Sequence, residues 1–431
     1  MTQADWLEAG EALTRVVAAV VPLSAETVPL GAVRGRVLAA DLIASIDVPP
    51  WTNSAMDGFA LRAADIAAVS QGDPAELPIV DDIAAGGFPR APLKSGQAAR
   101  IMTGAPVPEG ADSVVRLEHT DGGHDLGRPG ARVRILDGQD AGRNLRRRGE
   151  DLQKGSVALS AGAVLTPAAI GVAASLGFAE VPVTRRPLVA VLTSGDELVE
   201  VDQFEEVRAG RKIVSSNSYT LAAQLAETGC EMRYLGIARD DPDSLRSALE
   251  RAEGCDALIT SAGISVGEHD HVKRILEEFD TDVNFWRVKI RPGSPFAFGK
   301  VGRLGGIPWF GLPGNPVSSM VTYEIFARPA LLRMSGRGRI FRAPVKARLL
   351  EDVRTQKGLT HFIRVRLEAD GEGGWLAHST GAQGSGILTS LAAADGLMAV
   401  PAGSGGADSG ARLSVIPLDA SSVLVSESPL A

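Results

Sequence analysis

Three apolar runs between residues 188 and 332 each end in a loop crowded with glycine, serine and carboxylates. The run 188–192 is β-branched and bounded by Pro187, which predicts a buried strand emptying into Thr193-Ser-Gly-Asp-Glu197. Residues 257–260 repeat the pattern and open into the loop 261–270, followed by a helical stretch at 271–279. The run 309–312 stops at Pro313-Gly-Asn-Pro316 and hands over to an apolar-periodic helix from 317 to about 332. Between the first two runs the pattern predicts a helix at 218–228, capped by Asn217 or Ser216, and a strand at 234–239. Asp241 before Pro242 then predicts an N-cap with a first-turn proline. Strands alternating with helices predict a parallel sheet covered on both faces, and such sheets take ligands beyond the carboxyl ends of their strands.

The flanks follow other periods. Trp6, Leu13, Val16, Val17 and Val20 share one face of an amphipathic helix within 1–20, predicted to pack. Residues 37–47 are extended, and the run 53–59 contains an Asp57-Gly58 turn. A loop-rich 96–112 leads to strands at 113–118 and 132–136. The stretch 154–180 holds the longest uncharged segment, but its Ala, Gly and Ser content with Pro167 inside excludes a membrane span. Thr166-Pro167 instead predicts the cap and first turn of a short helix at 168–176, stopped by Gly177. Short alternating strands at 345–353, 361–368, 374–379, 397–401 and 412–418 predict a small β-barrel or sandwich. The expected division is 1–50 with 146–184 as a discontinuous N-terminal domain, 51–145 as a β-rich insertion, 185–334 as the α/β domain and 335–431 as the C-terminal domain.

Of 431 residues, 44 are Lys or Arg and 52 are Asp or Glu, a net charge of −8 that leaves no general basic footprint for nucleic acid or anionic membrane. Cys230 and Cys255 have no metal spacing, which predicts two buried thiols in a reduced cytoplasm. Asp5, Glu8 and Glu11 stand where an export signal would be basic and then apolar. On the predicted topology Asp196, Glu197, Asp240 and Asp270 converge on one sheet edge; such a set suits a hard cation such as Mg²⁺, or each caps a helix. Glycines in these loops let backbone N–H groups approach a phosphate. Alternation puts Arg287, Lys289 and Arg291 on one side of a strand, a cationic row suited to an oxyanion or simply an exposed face. Arg146, Arg147 and Arg148 beside Glu150 and Asp151 are an anion-site candidate or a solvated face. No Ser-His-Asp or Cys-His arrangement is visible.

Thr193-Ser-Gly-Asp-Glu-Leu198, Ser216-Asn-Ser218, Ser265-Val-Gly-Glu268 with Asp270, Arg291-Pro-Gly293 and Gly311-Leu-Pro-Gly-Asn-Pro-Val317 together resemble the molybdopterin molybdenumtransferase family, the bacterial MoeA and gephyrin E-domain group. The runs Asn53–Phe59, Met102-Thr-Gly-Ala105, Arg147-Arg-Gly-Glu-Asp151 and Gln383–Ser390 resemble further signatures of that family. Lys is usual in the family where Arg287 and Arg291 stand and often at Ser294; Gly is common at Ala262 and Asp at Ser216. The resemblance implies a multidomain α/β fold with a central three-layer parallel-sheet domain, an elongated N-terminal domain, a β-rich insertion and a C-terminal β-barrel. It implies a homodimer that inserts molybdenum from molybdate into adenylylated molybdopterin, with Mg²⁺-dependent hydrolysis of the adenylate and release of AMP. It assigns catalytic roles to Asp57, Thr103, Asp151, Glu197, Asp240 and Asp270, with Asp196, Glu197, Asp240 and Asp270 as metal ligands. Substrate binding falls to Arg146, Ser194, Gly195, Asn217, Gly263, Ser265, Arg287, Arg291, Ser294, Pro313, Gly314, Pro316 and Ser385. An upstream molybdopterin adenylyltransferase and downstream cofactor-using proteins are the implied partners. Two other functions remain open on sequence: a non-catalytic pterin-binding scaffold resembling gephyrin, and a nucleotide or pterin hydrolase on the same central domain.

Overall fold

A computed structural model describes residues 6–70, 72–126, 130–261 and 271–418. At its centre is a six-stranded sheet in the order Glu231–Ala238, Leu188–Ser194, Ala257–Ser261, Ile307–Leu312, Ala297–Val301, Thr281–Phe285. The first four strands are parallel, as the alternation of strand and helix predicts. Ala297–Val301 is antiparallel to both its neighbours, an addition to the parallel sheet, and Thr281–Phe285 beyond it again runs with the first four. Ala297–Val301 and Ile307–Leu312 are joined by a short turn in which Gly305 and Gly306 take φ of 85° and 75°, and a connection that short can only return antiparallel.

Both faces of the inner strands Leu188–Ser194, Ala257–Ser261 and Ile307–Leu312 are buried, so these are the near-continuous apolar runs of the sequence. On one face Val189, Val191, Ile259 and Phe310 pack against the helix Ser216–Thr228 and the helical segment from Pro316 to Met334. On the other, Ala190, Leu192, Leu258 and Trp309 pack against the helices Pro242–Glu250 and His271–Glu278. Asp241 caps the first of these as predicted, accepting from Ser244 N–H at 2.8 Å ahead of Pro242. Two local expectations change. The N-cap of Ser216–Thr228 is Ser215, which leaves the Asn217 amide inside the first turn. The single helix expected from 317 is broken by a π-turn, Tyr323–Ala327, because Pro329 has no N–H to continue the α pattern.

The N-terminal helix, Ala9–Ala18, buries Ala12 and Val16 in this same core. Residues Ala25–Pro29 and Glu180–Thr184 pair antiparallel over a separate core containing Leu38, Leu165 and Val183, closed by the helix Pro167–Ser175 with Thr166 as its cap. Within 51–145 a five-stranded sheet encloses Phe59, Ile101 and Val115. The C-terminal strands form a barrel, closed where Thr360–Ala369 pairs with Gly396–Val400. Among the described residues no helix is long and apolar enough to cross a membrane. Cys230 and Cys255 are buried and unbonded.

Candidate functional site

A cavity of about 690 Å³ opens beyond the carboxyl ends of the parallel strands, lined by Thr193, Glu197, Asn217, Ser261, Arg287 and the Pro313–Pro316 turn among others. Gly195 turns the first loop with φ of 147°, and a Cβ there would lie 2.7 Å from a Glu197 carboxylate oxygen. Glycine therefore lets Glu197 fold back over its own loop. Asp196 Oδ1 accepts from the Asp240 N–H at 3.3 Å, and its peptide oxygen accepts from Lys212 Nζ. Partial burial, then the charges of Asp196 and Glu197, hold the Asp240 carboxyl above its ordinary pKa. The carboxylates thus sense one another, although among the described residues no three His, Cys, Asp or Glu side chains stand close enough to enclose an ion. Gly263, Ser265 and Asp270, with Ala262 and Glu268, lie outside the described residues.

Asn217 ties the strand ends together. Its Nδ2 donates to Ser261 Oγ at 2.7 Å and to the Gly314 carbonyl at 2.8 Å, bridging the third-strand loop and the proline turn. Its Oδ1 is buried without a partner among the described residues, and an unmet buried acceptor costs about 1–3 kcal/mol until a donor arrives. Ser194 closes the first strand, buried. Pro313, Gly314 and Pro316 line the cavity, and the Ser385 carbonyl accepts from Val317 N–H at 3.1 Å beside Gly386, another lining residue.

The basic segment needs correction. Trp286, Val288 and Ile290 are buried while Arg287, Lys289 and Arg291 face outward, so the alternation holds. The three cations have different neighbours. Only Arg287 lines the cavity, its guanidinium 4.9 Å from the Trp6 ring centroid. Lys289 pairs with Glu8 at 2.9 Å, and Arg291 reaches Gln356 of the barrel unit at 3.4 Å. After Phe285 the chain leaves the central sheet, bridges to Leu7 and then joins the barrel, which hands each cation to a different neighbour. Ser294 Oγ donates to the Ile290 carbonyl within this turn.

The remaining signatures assemble apart from the cavity. Asp57 Oδ1 accepts from both the N–H and the hydroxyl of Thr103, each at 2.7 Å. Asn53 pairs in register with Arg146, and Gly104 N–H donates to the Ser54 carbonyl. Gly58 is obligatory here, since a Cβ would meet the Val115 carbonyl oxygen at 1.9 Å. Of the arginine run, Arg148 pairs with Asp47 at 2.6 Å, whereas the side chains of Arg146 and Arg147 make no hydrogen bond or ion pair among the described residues. Asp151 is exposed beside them. No hydrogen bond or strand pairing links Asn53, Asp57, Thr103 or Arg146 to the central unit among the described residues. Sequence reasoning missed Ser261, whose place at a strand end matching Ser194 was the available signal. It also missed Trp6 as the support of Arg287, since an aromatic on an apolar helix face signals packing alone.

These features define a multidomain α/β protein with a polar cavity at the strand ends of its central sheet. Family models match in order along the chain: "MoeA N-terminal region (domain I and II)" over residues 7–177, "Probable molybdopterin binding domain" over 190–333 and "MoeA C-terminal region (domain IV)" over 346–418. The chain is 38% identical over 381 residues to molybdopterin molybdenumtransferase 2 of Mycobacterium tuberculosis, covering 87% of this chain and 90% of that one. It is 36% identical over 382 residues to the molybdopterin molybdenumtransferase of Bacillus subtilis, covering 88% and 87%. The crystal structure of a molybdopterin biosynthesis MoeA protein from Pyrococcus horikoshii superposes with a TM-score of 0.81 at 29% identity, over 95% of this chain and 99% of that one. The chain belongs to the MoeA family of molybdopterin molybdenumtransferases, and its general role is in molybdenum-cofactor biosynthesis.

Proposed function

We propose that this chain inserts molybdenum into adenylylated molybdopterin, taking molybdate as the oxyanion substrate and hydrolysing the adenylate with release of AMP. The observation that carries the reading is the Asn217 tie: one amide fixes Ser261 and Gly314 around the cavity and keeps an unmet acceptor for a ligand donor. Asp196 and Glu197, whose charges reach Asp240 at the strand ends, offer the oxygen donors that suit a hard divalent cation, so these three with Asp270 are the residues that would hold Mg²⁺. When bound, Mg²⁺ neutralises charge on the phosphoanhydride. Arg287 supplies positive charge for the oxyanion at the cavity wall, and Trp6 fixes its plane. The chain's part in the chemistry is alignment and charge balance, in keeping with the lack of a nucleophile–base pair in its sequence.

The site is completed in a homodimer, with Asp57, Thr103, Arg146 and Asp151 of one subunit facing the cavity of the other. Exposed apolar groups on each half support this: Met56 next to Asp57 in the chain and Trp51 edge-on to Phe88 on one, and Ile213 in the cavity lining on the other. A molybdopterin adenylyltransferase upstream and cofactor-using proteins downstream are the expected partners. The test is incubation of purified protein with adenylylated molybdopterin, Mg²⁺ and molybdate. AMP release that depends on the oxyanion supports the transferase, release without oxyanion supports a hydrolase, and binding without release supports a scaffold.

A further inference from the structure

Arg364, on the barrel strand Thr360–Ala369, is fully buried and has no Asp or Glu partner among the described residues. Burial alone pulls its pKa down, with no neighbouring charge to offset the loss of water. Ile363 and Val365 face the barrel core, so Arg364 lies with Phe362 on the opposite face of the strand; a position that needed only volume there would be served better by an apolar side chain, because a buried cation without a carboxylate is costly. What the guanidinium holds is therefore informative. Nη2 donates to the carbonyls of Ala382 and Gly384 at 3.1 and 3.2 Å, and Nε donates to Ser390 Oγ at 2.6 Å; Nη1 finds no acceptor. The Arg364 backbone grips the same loop: its N–H donates to Gln383 Oε1 at 2.9 Å, and its carbonyl accepts from Thr380 N–H at 3.0 Å and Gln383 Nε2 at 3.2 Å. Ser390 Oγ passes the tie onward to the Ile387 carbonyl at 2.8 Å.

Both ends of the segment 382–387 are thus fastened to one residue. Its middle meets the central unit, where Ser385 accepts from Val317 N–H and Gly386 lines the cavity. We infer that Arg364 is a positioning residue: it locks the loop 382–387 of the barrel into place as one wall of the central cavity. The segment contains Gly384 and Gly386 and would sample many conformations without the clamp. Only a planar fork reaches two carbonyls and a hydroxyl together; a lysine offers one point donor. As an effect on catalysis, the inference rests on the reading of this cavity as the pterin site.

The experiment uses the full-length protein with Arg364→Lys and Arg364→Met. Hydrogen exchange, recorded without substrate, should speed up by about tenfold or more at the amides of Val317, which donates to the Ser385 carbonyl, and Ile387, which donates to the Gly384 carbonyl, while the strand Ala257–Ser261 exchanges as before. KM for adenylylated molybdopterin should rise about tenfold with kcat held within about twofold, a split that general loss of stability would not produce. Wild-type exchange in the loop and an unchanged KM, in folded Arg364→Met protein, would overturn the assignment. If both variants fail to fold, Ser390→Ala removes one acceptor of the clamp and should speed exchange at the same two amides, Val317 and Ile387; unaltered exchange there overturns it equally. A wild-type protein that releases no AMP sinks the proposed function, but the exchange measurement still decides whether Arg364 holds the loop.

Discussion

Asp57 receives two hydrogen bonds from Thr103, one from the backbone N–H and one from the hydroxyl, both to the same carboxylate oxygen at 2.7 Å. Two signatures some 45 residues apart become one charged group with a fixed direction. The Thr103 amide first, and then its hydroxyl, hold the Asp57 pKa below its ordinary value. A depressed carboxylate stabilises the fold above its unfolded pKa and loses that contribution as pH falls through the folded pKa. Thr103→Ala removes one donor and should move the Asp57 titration midpoint upward, towards the ordinary value. A ¹³C NMR titration of the carboxyl carbon checks this, and an unmoved midpoint would dismiss the hydroxyl's part.

Asp240 is displaced the other way, by partial burial first and then by Asp196 and Glu197. It therefore takes up its proton at a higher pH than an ordinary carboxylate, and a cation must compete with that proton. The Mg²⁺ concentration for half-maximal AMP release should rise as pH falls through the Asp240 pKa. Glu197→Ala and Asp270→Ala should each lose AMP release by about a hundredfold with the fold intact. Activity within about threefold of wild type in both would remove the carboxylate edge from the chemistry.

The two arginines of the basic segment separate cleanly. Arg287 lines the cavity and Arg291 faces Gln356, so Arg287→Ala should raise the molybdate requirement about tenfold while Arg291→Ala changes it little. Steady-state rates over a molybdate series decide the matter. Equal effects of the two substitutions would restore the idea of a single cationic row.

Complementation tests the shared site. Asp57→Ala and Glu197→Ala should each be inactive alone, yet mixed dimers made by co-refolding should regain activity. Random pairing makes about half the dimers mixed, each with one of two sites intact, so about a quarter of wild-type activity should return. Verified mixed dimers without activity would refute a site built across two subunits.

The parallel half of the central sheet was legible because its strands are buried on both faces and announce themselves as unbroken apolar runs. The Asp241-Pro242 helix start was equally plain. Strand direction was not, since a two-residue period is the same either way and only the short Gly302–Gly306 turn forces the reversal. Within the site, the order of the signatures along the chain was readable, but the joining of Asp57 to Thr103 was not, since it follows from the pairing of Gly58–Leu61 with Ala98–Ile101. The fate of Arg287, Lys289 and Arg291 was hidden because it depends on Trp6, Glu8 and Gln356, remote in sequence. The π-turn before Arg328 needed knowledge of how the Pro329 gap is absorbed, which packing decides.

The brace at residues 6–8 bears on how such chains recombine. Trp6 covers Arg287, Leu7 bridges to Val288 and Glu8 holds Lys289, so three consecutive residues at one end shape a wall of the cavity encoded some 280 positions later. A chimera of two relatives spliced anywhere between, even at a clean boundary near residue 185, inherits the cavity from one parent and its brace from the other. Such hybrids will work only where both parents share the same three-residue match, whatever their similarity across the splice itself.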